Sequence, residues 1–116
     1  MVVLRTDSGM SDLDAAFAAL ADPTRRKVLT LLSQHDLRAG EIAQQLKLAA
    51  PATSKHLKVL RESLLVEIDS DAADARAKVY RLRREGLRGM HGWLQGVDRF
   101  WEEQLQGFKA FAEKRK

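Results

Sequence analysis

From Met90 to Ala112 one apolar face repeats without a break. Met90, Leu94, Val97, Trp101, Leu105, Phe108 and Ala112 are separated by 4, 3, 4, 4, 3 and 4 residues, the spacing of a continuous α-helix. Trp93, Phe100 and Phe111 widen the face, so this segment holds five of the chain's seven aromatic residues. Burying five such rings removes ~750 Å² from water, or ~19 kcal/mol before the costs of ordering and association. A chain of 116 residues builds a single domain and one core, too small to cover so long a stripe. Gly89, Gly92, Gly96 and Gly107 each lower helix propensity by about 1 kcal/mol relative to alanine, which makes the helix dependent on packing. The expectation is a dimerisation helix over residues 85–116 that pairs with its symmetry mate. Its interface residues are Met90, Trp93, Leu94, Val97, Phe100, Trp101, Leu105 and Phe108, with help from Leu13 and Phe17.

The segment ahead of this helix reads as short helices and a hairpin. Residues 1–10 show no periodicity and form a flexible lead-in; residues 11–84 form the domain. Ser11 is placed to cap a first helix with Leu13, Phe17 and Leu20 on its buried side. Asp22 caps a second helix, with Pro23 at the first position, where its missing N–H is no loss. Val28, Leu29, Leu31 and Leu32 fill the inner face. A third helix spans about Ala39–Leu46, weakly started because Arg38 is a poor cap. A turn over Lys47–Ala50 leads into a fourth helix that begins near Pro51 and runs to about Ser63, with Thr53, Leu57, Leu60 and Leu64 as its apolar stripe. Leu65-Val-Glu-Ile-Asp and Lys78-Val-Tyr-Arg-Leu alternate as strands do. Between them lies the polar, Asp-rich SDAADARA, the tip of a β-hairpin. The fold class is mainly α with a small β-hairpin.

Charge is concentrated in the middle of the chain. The net charge is +4, a modest excess, so its distribution decides more than its size. Lys47 to Arg61 contains four basic residues and no acidic one; Arg76 to Arg88 contains six basic residues and one acidic. A short helix, a turn and a second helix basic on its free face describe a helix-turn-helix whose second helix enters the DNA major groove. The chain has no cysteine, which excludes disulfides and thiolate metal sites. No apolar run approaches the roughly 18 residues of a membrane span, and MVVLRTDSGM lacks a signal-peptide core. A cytoplasmic protein without membrane contact is expected.

The fragments ALADPTRRKVLTLL, GEIAQQL, PATSKHLKVLRES and a hairpin ending in KVYRL together resemble the ArsR-type winged helix-turn-helix regulators of bacteria. The likeness runs from about Ala18 to Phe111. It is closest to the metal-independent branch, which often carries a segment like FWEEQL in the last helix. The resemblance implies a homodimeric transcriptional repressor that binds an inverted-repeat operator in double-stranded DNA, often its own. The chain departs from the family pattern at three places. Ala49 and Ala50 stand where a Ser or Thr cap and a polar neighbour are usual. Ser63-Leu64 replaces the glycine that ends the reading helix. The wing tip, with Asp69, Asp71 and Asp74, is acidic rather than basic.

Candidate DNA contacts follow from helix position. Ser54 and Lys55, early on the reading helix, suit base edges; Lys58 and Arg61 suit phosphates. His56 either touches phosphate or packs against the third helix. Thr53 takes a core position if its hydroxyl bonds back to a main-chain carbonyl. Arg76 and Lys78 on the wing suit phosphate, with solvated hairpin charge as the alternative. Arg25, in the run Arg25-Arg26-Lys27, either assists a phosphate at the helix start or pairs within the molecule. Neither metal nor cofactor is expected: the third-helix segment holds no soft ligand, and His91 and Asp98 are out of helical register for joint ligation. No nucleophile–base pair or phosphate loop marks an enzyme. An effector is not identifiable from the sequence. The competing reading is a winged helix used for protein contact, without specific DNA binding.

Overall fold

A computed structural model describes residues 8–69 and 77–114. In chain order the elements are α1 (Ser8–Leu20), α2 (Pro23–Leu32), β1 (Leu37–Arg38), α3 (Ala39–Leu46), α4 (Ala50–Glu62), β2 (Val66–Ile68), β3 (Val79–Leu82) and α5 (Arg84–Lys114). The mainly helical fold with a hairpin is the expected one. α1 starts at Ser8 rather than at Ser11, because Gly9 lowers propensity without breaking a helix and Met10 is a good helix former.

Local chemistry explains each boundary. Asp22 adopts an extended conformation, and its carboxylate accepts the N–H of Thr24 at 2.8 Å and of Arg25 at 3.1 Å. The joint between α1 and α2 is closed from the other side as well. Arg25 Nε donates to the Ala19 carbonyl oxygen and Arg26 Nη1 to that of Leu20, both at 2.7 Å. Two arginines thus satisfy carbonyls that the end of α1 leaves open. α3 occupies its expected span, and its start is better held than Arg38 alone suggested. Glu41 reaches back to accept the Arg38 N–H at 2.8 Å, the acidic half of a capping box.

Both helices of the helix-turn-helix end in a left-handed residue that is not glycine. Lys47, φ 57°, follows α3, and Leu48 N–H closes on the Ala43 carbonyl at 2.9 Å. Leu64, φ 61°, follows α4; Leu64 N–H bonds Arg61 and Leu65 N–H bonds Leu60 at 3.1 and 3.0 Å. This is the two-bond closure usually built around glycine. It corrects one expectation: Leu64 leaves the apolar stripe of α4 and is 37 % exposed, and Leu65 enters the core in its place. The reversal of the backbone at Leu64 exchanges the faces of the two leucines.

The sheet has three antiparallel strands in the order β1-β3-β2, with Val66 opposite Leu82, Ile68 opposite Tyr80, and Leu37 also opposite Tyr80. β1 was not foreseen; two residues give no alternation to read, and only Leu37, buried at the centre, hinted at it. The core gathers Ala16 and Ala19 from α1, Val28, Leu29 and Leu32 from α2, and Ile42, Leu57, Leu60, Leu65, Val66 and Met90.

Met90 is a second correction. It was assigned to the dimer interface, but it is 6 % exposed and part of the protomer's own core. The first two turns of α5 lie on the domain, and the helix leaves it only afterwards. Gly86 marks the closest approach: a Cβ there would collide with the Leu64 carbonyl oxygen and stand 2.9 Å from Leu65 Cδ2. Beyond Met90, every described residue of α5 is exposed. At 1.5 Å per residue the helix is about 46 Å long, within a molecule whose longest dimension is 70 Å.

Candidate nucleic-acid interface

α4 is seated by three side chains. Thr53, Leu57 and Leu60 are each at most 1 % exposed. They place the helix against α2, α3 and β2. Thr53 stays in the core as expected: its hydroxyl donates to the Ala49 carbonyl at 3.0 Å, four residues back. With that face buried, Ser54, Lys55, Lys58 and Arg61 are held together on the opposite, exposed face.

The start of α4 differs from that of α2. Ala49 at the cap position offers no side-chain acceptor, and Pro51 lies in the first turn. The positive end of this helix therefore carries no carboxylate of its own, whereas Asp22 already fills that of α2. Backbone N–H groups in such a position favour an anion such as phosphate.

Pairing sets the α4 cations apart. Arg81 lies 3.6 Å from Asp36 and 3.7 Å from Glu67, Arg83 lies 4.0 Å from Glu85, and Arg38 lies 3.4 Å from Glu41. Among the described residues, Lys55, Lys58 and Arg61 have no carboxylate within ion-pair distance. Their charge is free to act on something outside the molecule.

The remaining candidates divide. Arg25, weighed between phosphate and an internal role, is taken up internally. It donates to the Ala19 carbonyl and lies 4.0 Å from Asp22, and the N–H groups of Thr24 and Arg25 are filled by Asp22. His56 is half-buried and sits by the start of α2. The Asp22 carboxyl is held below the ordinary aspartate range first by the Arg25 N–H, then by the Thr24 N–H and by the charges of Arg25 and His56, against the opposing effect of burial. Lys78 is half-buried just before β3 and has no ion pair among the described residues. Arg76, with Asp71 and Asp74, lies outside the described residues; Asp69 closes the near end of the hairpin, its N–H bonded to the Val79 carbonyl at 2.9 Å. A count of charges does not separate Arg25 and Arg81 from Lys55 and Arg61. Only the acids that folding brings beside them do.

Among the described residues, no three His, Asp or Glu side chains are grouped to hold a metal ion. No helix there is long and apolar enough to cross a membrane.

Comparison with known proteins gives the same picture. Residues 22–67, from the Asp22 cap to β2, match the family model described as bacterial regulatory protein, arsR family. The chain is 39 % identical over 95 residues to the HTH-type transcriptional regulator Rv2034 of Mycobacterium tuberculosis, covering 82 % of this chain and 83 % of that one. It is 34 % identical over 82 residues to the transcriptional repressor SdpR of Bacillus subtilis, covering 71 % and 88 %. An ArsR-like transcriptional regulator from Rhodococcus sp. RHA1 superimposes with a TM-score of 0.73 at 31 % identity, over 89 % of this chain and 94 % of that one. A helix-turn-helix with a cationic face on its second helix, carried on this scaffold and matched along most of its length, makes the chain a member of the ArsR family of bacterial regulatory proteins.

Proposed function

We propose that the protein is a cytoplasmic, homodimeric transcriptional repressor that reads an inverted repeat in double-stranded DNA, with no catalytic activity and no metal or cofactor. The observation that carries this reading is the face of α4: four polar or cationic side chains exposed together, three of them cations with no carboxylate in ion-pair range among the described residues, on a helix whose other side is sealed in the core. Ser54 and Lys55 read base edges, and Lys58 and Arg61 hold phosphates beside the uncapped helix start. Lys78 contributes a phosphate contact, and so does Arg76, which lies outside the described residues.

A second copy is required for a stable molecule. Among the described residues, nine large apolar side chains are between 37 % and 72 % exposed, and all but Leu64 lie on α5 from Trp93 onward, more than an isolated small protein leaves to solvent. Pairing along α5 puts two copies of α4 side by side, and their symmetry demands a symmetric site.

Fluorescence anisotropy against the gene's own upstream region and a scrambled duplex, at two salt concentrations, tests the proposal. Lys55→Ala and Arg61→Ala should each weaken binding about tenfold or more, and only Lys55→Ala should relax sequence preference. The affinity should fall steeply with salt, and the Arg61→Ala slope should be shallower by about one unit. Chelator should leave binding unchanged. No preference for any genomic fragment at low salt would favour a protein-docking winged helix instead.

A further inference from the structure

α2 and α4 both open with a proline, and their starts differ in everything else. Ahead of Pro23 stands Asp22, whose carboxylate accepts two backbone N–H groups. Ahead of Pro51 stand Ala49 and Ala50. From Leu48 to Ala52, five residues in a row carry no side-chain group able to donate or accept a hydrogen bond. Ala49, Ala50 and Pro51 are nevertheless exposed. Their turn is fixed from within: the Ala49 carbonyl oxygen accepts both the N–H and the hydroxyl of Thr53, each at 3.0 Å.

We propose that Ala50 and Pro51 form an apolar reading tip for thymine. They touch the C5 methyl groups of thymines in the major groove, within about two base pairs of the bases met by Ser54 and Lys55. The inference rests on the DNA-reading role of α4 above and adds a base to its preference.

Geometry and chemistry carry it together. Ala50 is four residues before Ser54, and Pro51 is four before Lys55. Each therefore stands one turn nearer the helix start on the same line of the surface. A reading helix presents its N-terminal residues to the bases, so this turn goes to base edges together with Ser54 and Lys55. All base edges in the major groove offer hydrogen-bonding atoms, and only thymine adds a methyl group. A methyl or a pyrrolidine ring set against polar base atoms would strip their water and return no hydrogen bond. Against thymine it buries carbon on carbon. Pro51 also lacks an N–H, which takes one more donor from the turn. The N–H groups of Ala50 and Ala52 run along the helix axis and stay available to phosphate; the side chains point across it. One turn rises about 5.4 Å and one base pair about 3.4 Å. The thymines thus fall about one to two pairs from the bases read by Ser54 and Lys55.

The test uses the duplex that the full chain selects from genomic fragments. Each thymine is replaced in turn by deoxyuridine, which lacks only the methyl group, and affinity is read by fluorescence anisotropy. The wild-type chain should lose about threefold to fivefold at a contacted thymine, a methyl group's share of apolar burial. That penalty should vanish in Ala50→Gly at the thymine Ala50 meets and shrink in Pro51→Ala at the thymine Pro51 meets. Both penalties should survive in Lys55→Ala. A change in DNA shape on losing the methyl would instead penalise every variant alike. Both side chains are exposed, so neither change opens a cavity. Ala50→Asn should move the preference at its pair from thymine toward adenine. No penalty at any thymine, or penalties that Ala50→Gly and Pro51→Ala leave at their wild-type size, overturns the methyl reading while the preference for the selected duplex stands. A wild-type chain that prefers no genomic fragment to a scrambled duplex overturns the DNA-reading role and the methyl reading with it.

Discussion

The helix-turn-helix domain and the far two-thirds of α5 use the same kinds of residue to opposite ends. In the domain, Ile42, Leu57, Leu60 and Leu65 are at most 1 % exposed and enclosed by their own chain. On α5, Trp101 and Phe108 are 60 % and 72 % exposed, with no core of their own to enter. One region satisfies its apolar surface by folding; the other can do so only by association. The first should behave as a unimolecular transition and the second as a concentration-dependent one.

The sharpest way to break this contrast is a pair of truncations. Leu60→Ala should cost about 2–5 kcal/mol of folding stability through lost contacts and a cavity, at every protein concentration. Phe108→Ala should leave the domain's own stability within about 0.5 kcal/mol and reduce association instead. Denaturant melts at several concentrations separate the two, and an equal effect of Phe108→Ala at all concentrations would mean that the distal helix folds back on its own domain. A smaller effect is expected at the seam. Leu64 holds a left-handed conformation that costs a branched side chain about 1 kcal/mol or more, so Leu64→Gly should raise stability by up to about 1 kcal/mol less the added freedom of the unfolded chain. A loss instead would show that the contacts of the Leu64 side chain beside Leu13 and Ala16 outweigh the strain. The smallest effect concerns acid. The folded Asp22 carboxyl titrates below its ordinary value. Its contribution is therefore present above the unfolded aspartate value and is lost as pH falls through the lowered folded one. Asp22→Asn should destabilise the domain at neutral pH and converge with wild type in acid; a constant difference across the range would assign the cap to hydrogen bonding alone.

The sequence was most readable where one residue type has one use. Asp22-Pro23 could only begin a helix, and the stripe from Met90 onward could only be helical, so both stood where expected. It was least readable where a side chain's fate depends on distant parts of the chain. Met90 continues the exposed stripe in spacing, yet it belongs to the core, because α5 departs from the domain one turn later than its period can reveal. Leu64 fits the α4 stripe by count and leaves it because the helix stops at Glu62. In the candidate site, the cations of α4 were legible from their position after a turn. The removal of Arg25 and Arg81 by carbonyls and carboxylates was not, since Asp36, Glu67 and the end of α1 approach them only in three dimensions.

Gly86 has a mechanical consequence. Its bare Cα lets the opening turn of α5 rest directly on the main chain that terminates α4, with no compliant side chain between them. Two rods joined backbone to backbone move as one piece. In a pair joined through α5, a change in the angle between the two long helices would carry each α4 along with its own α5.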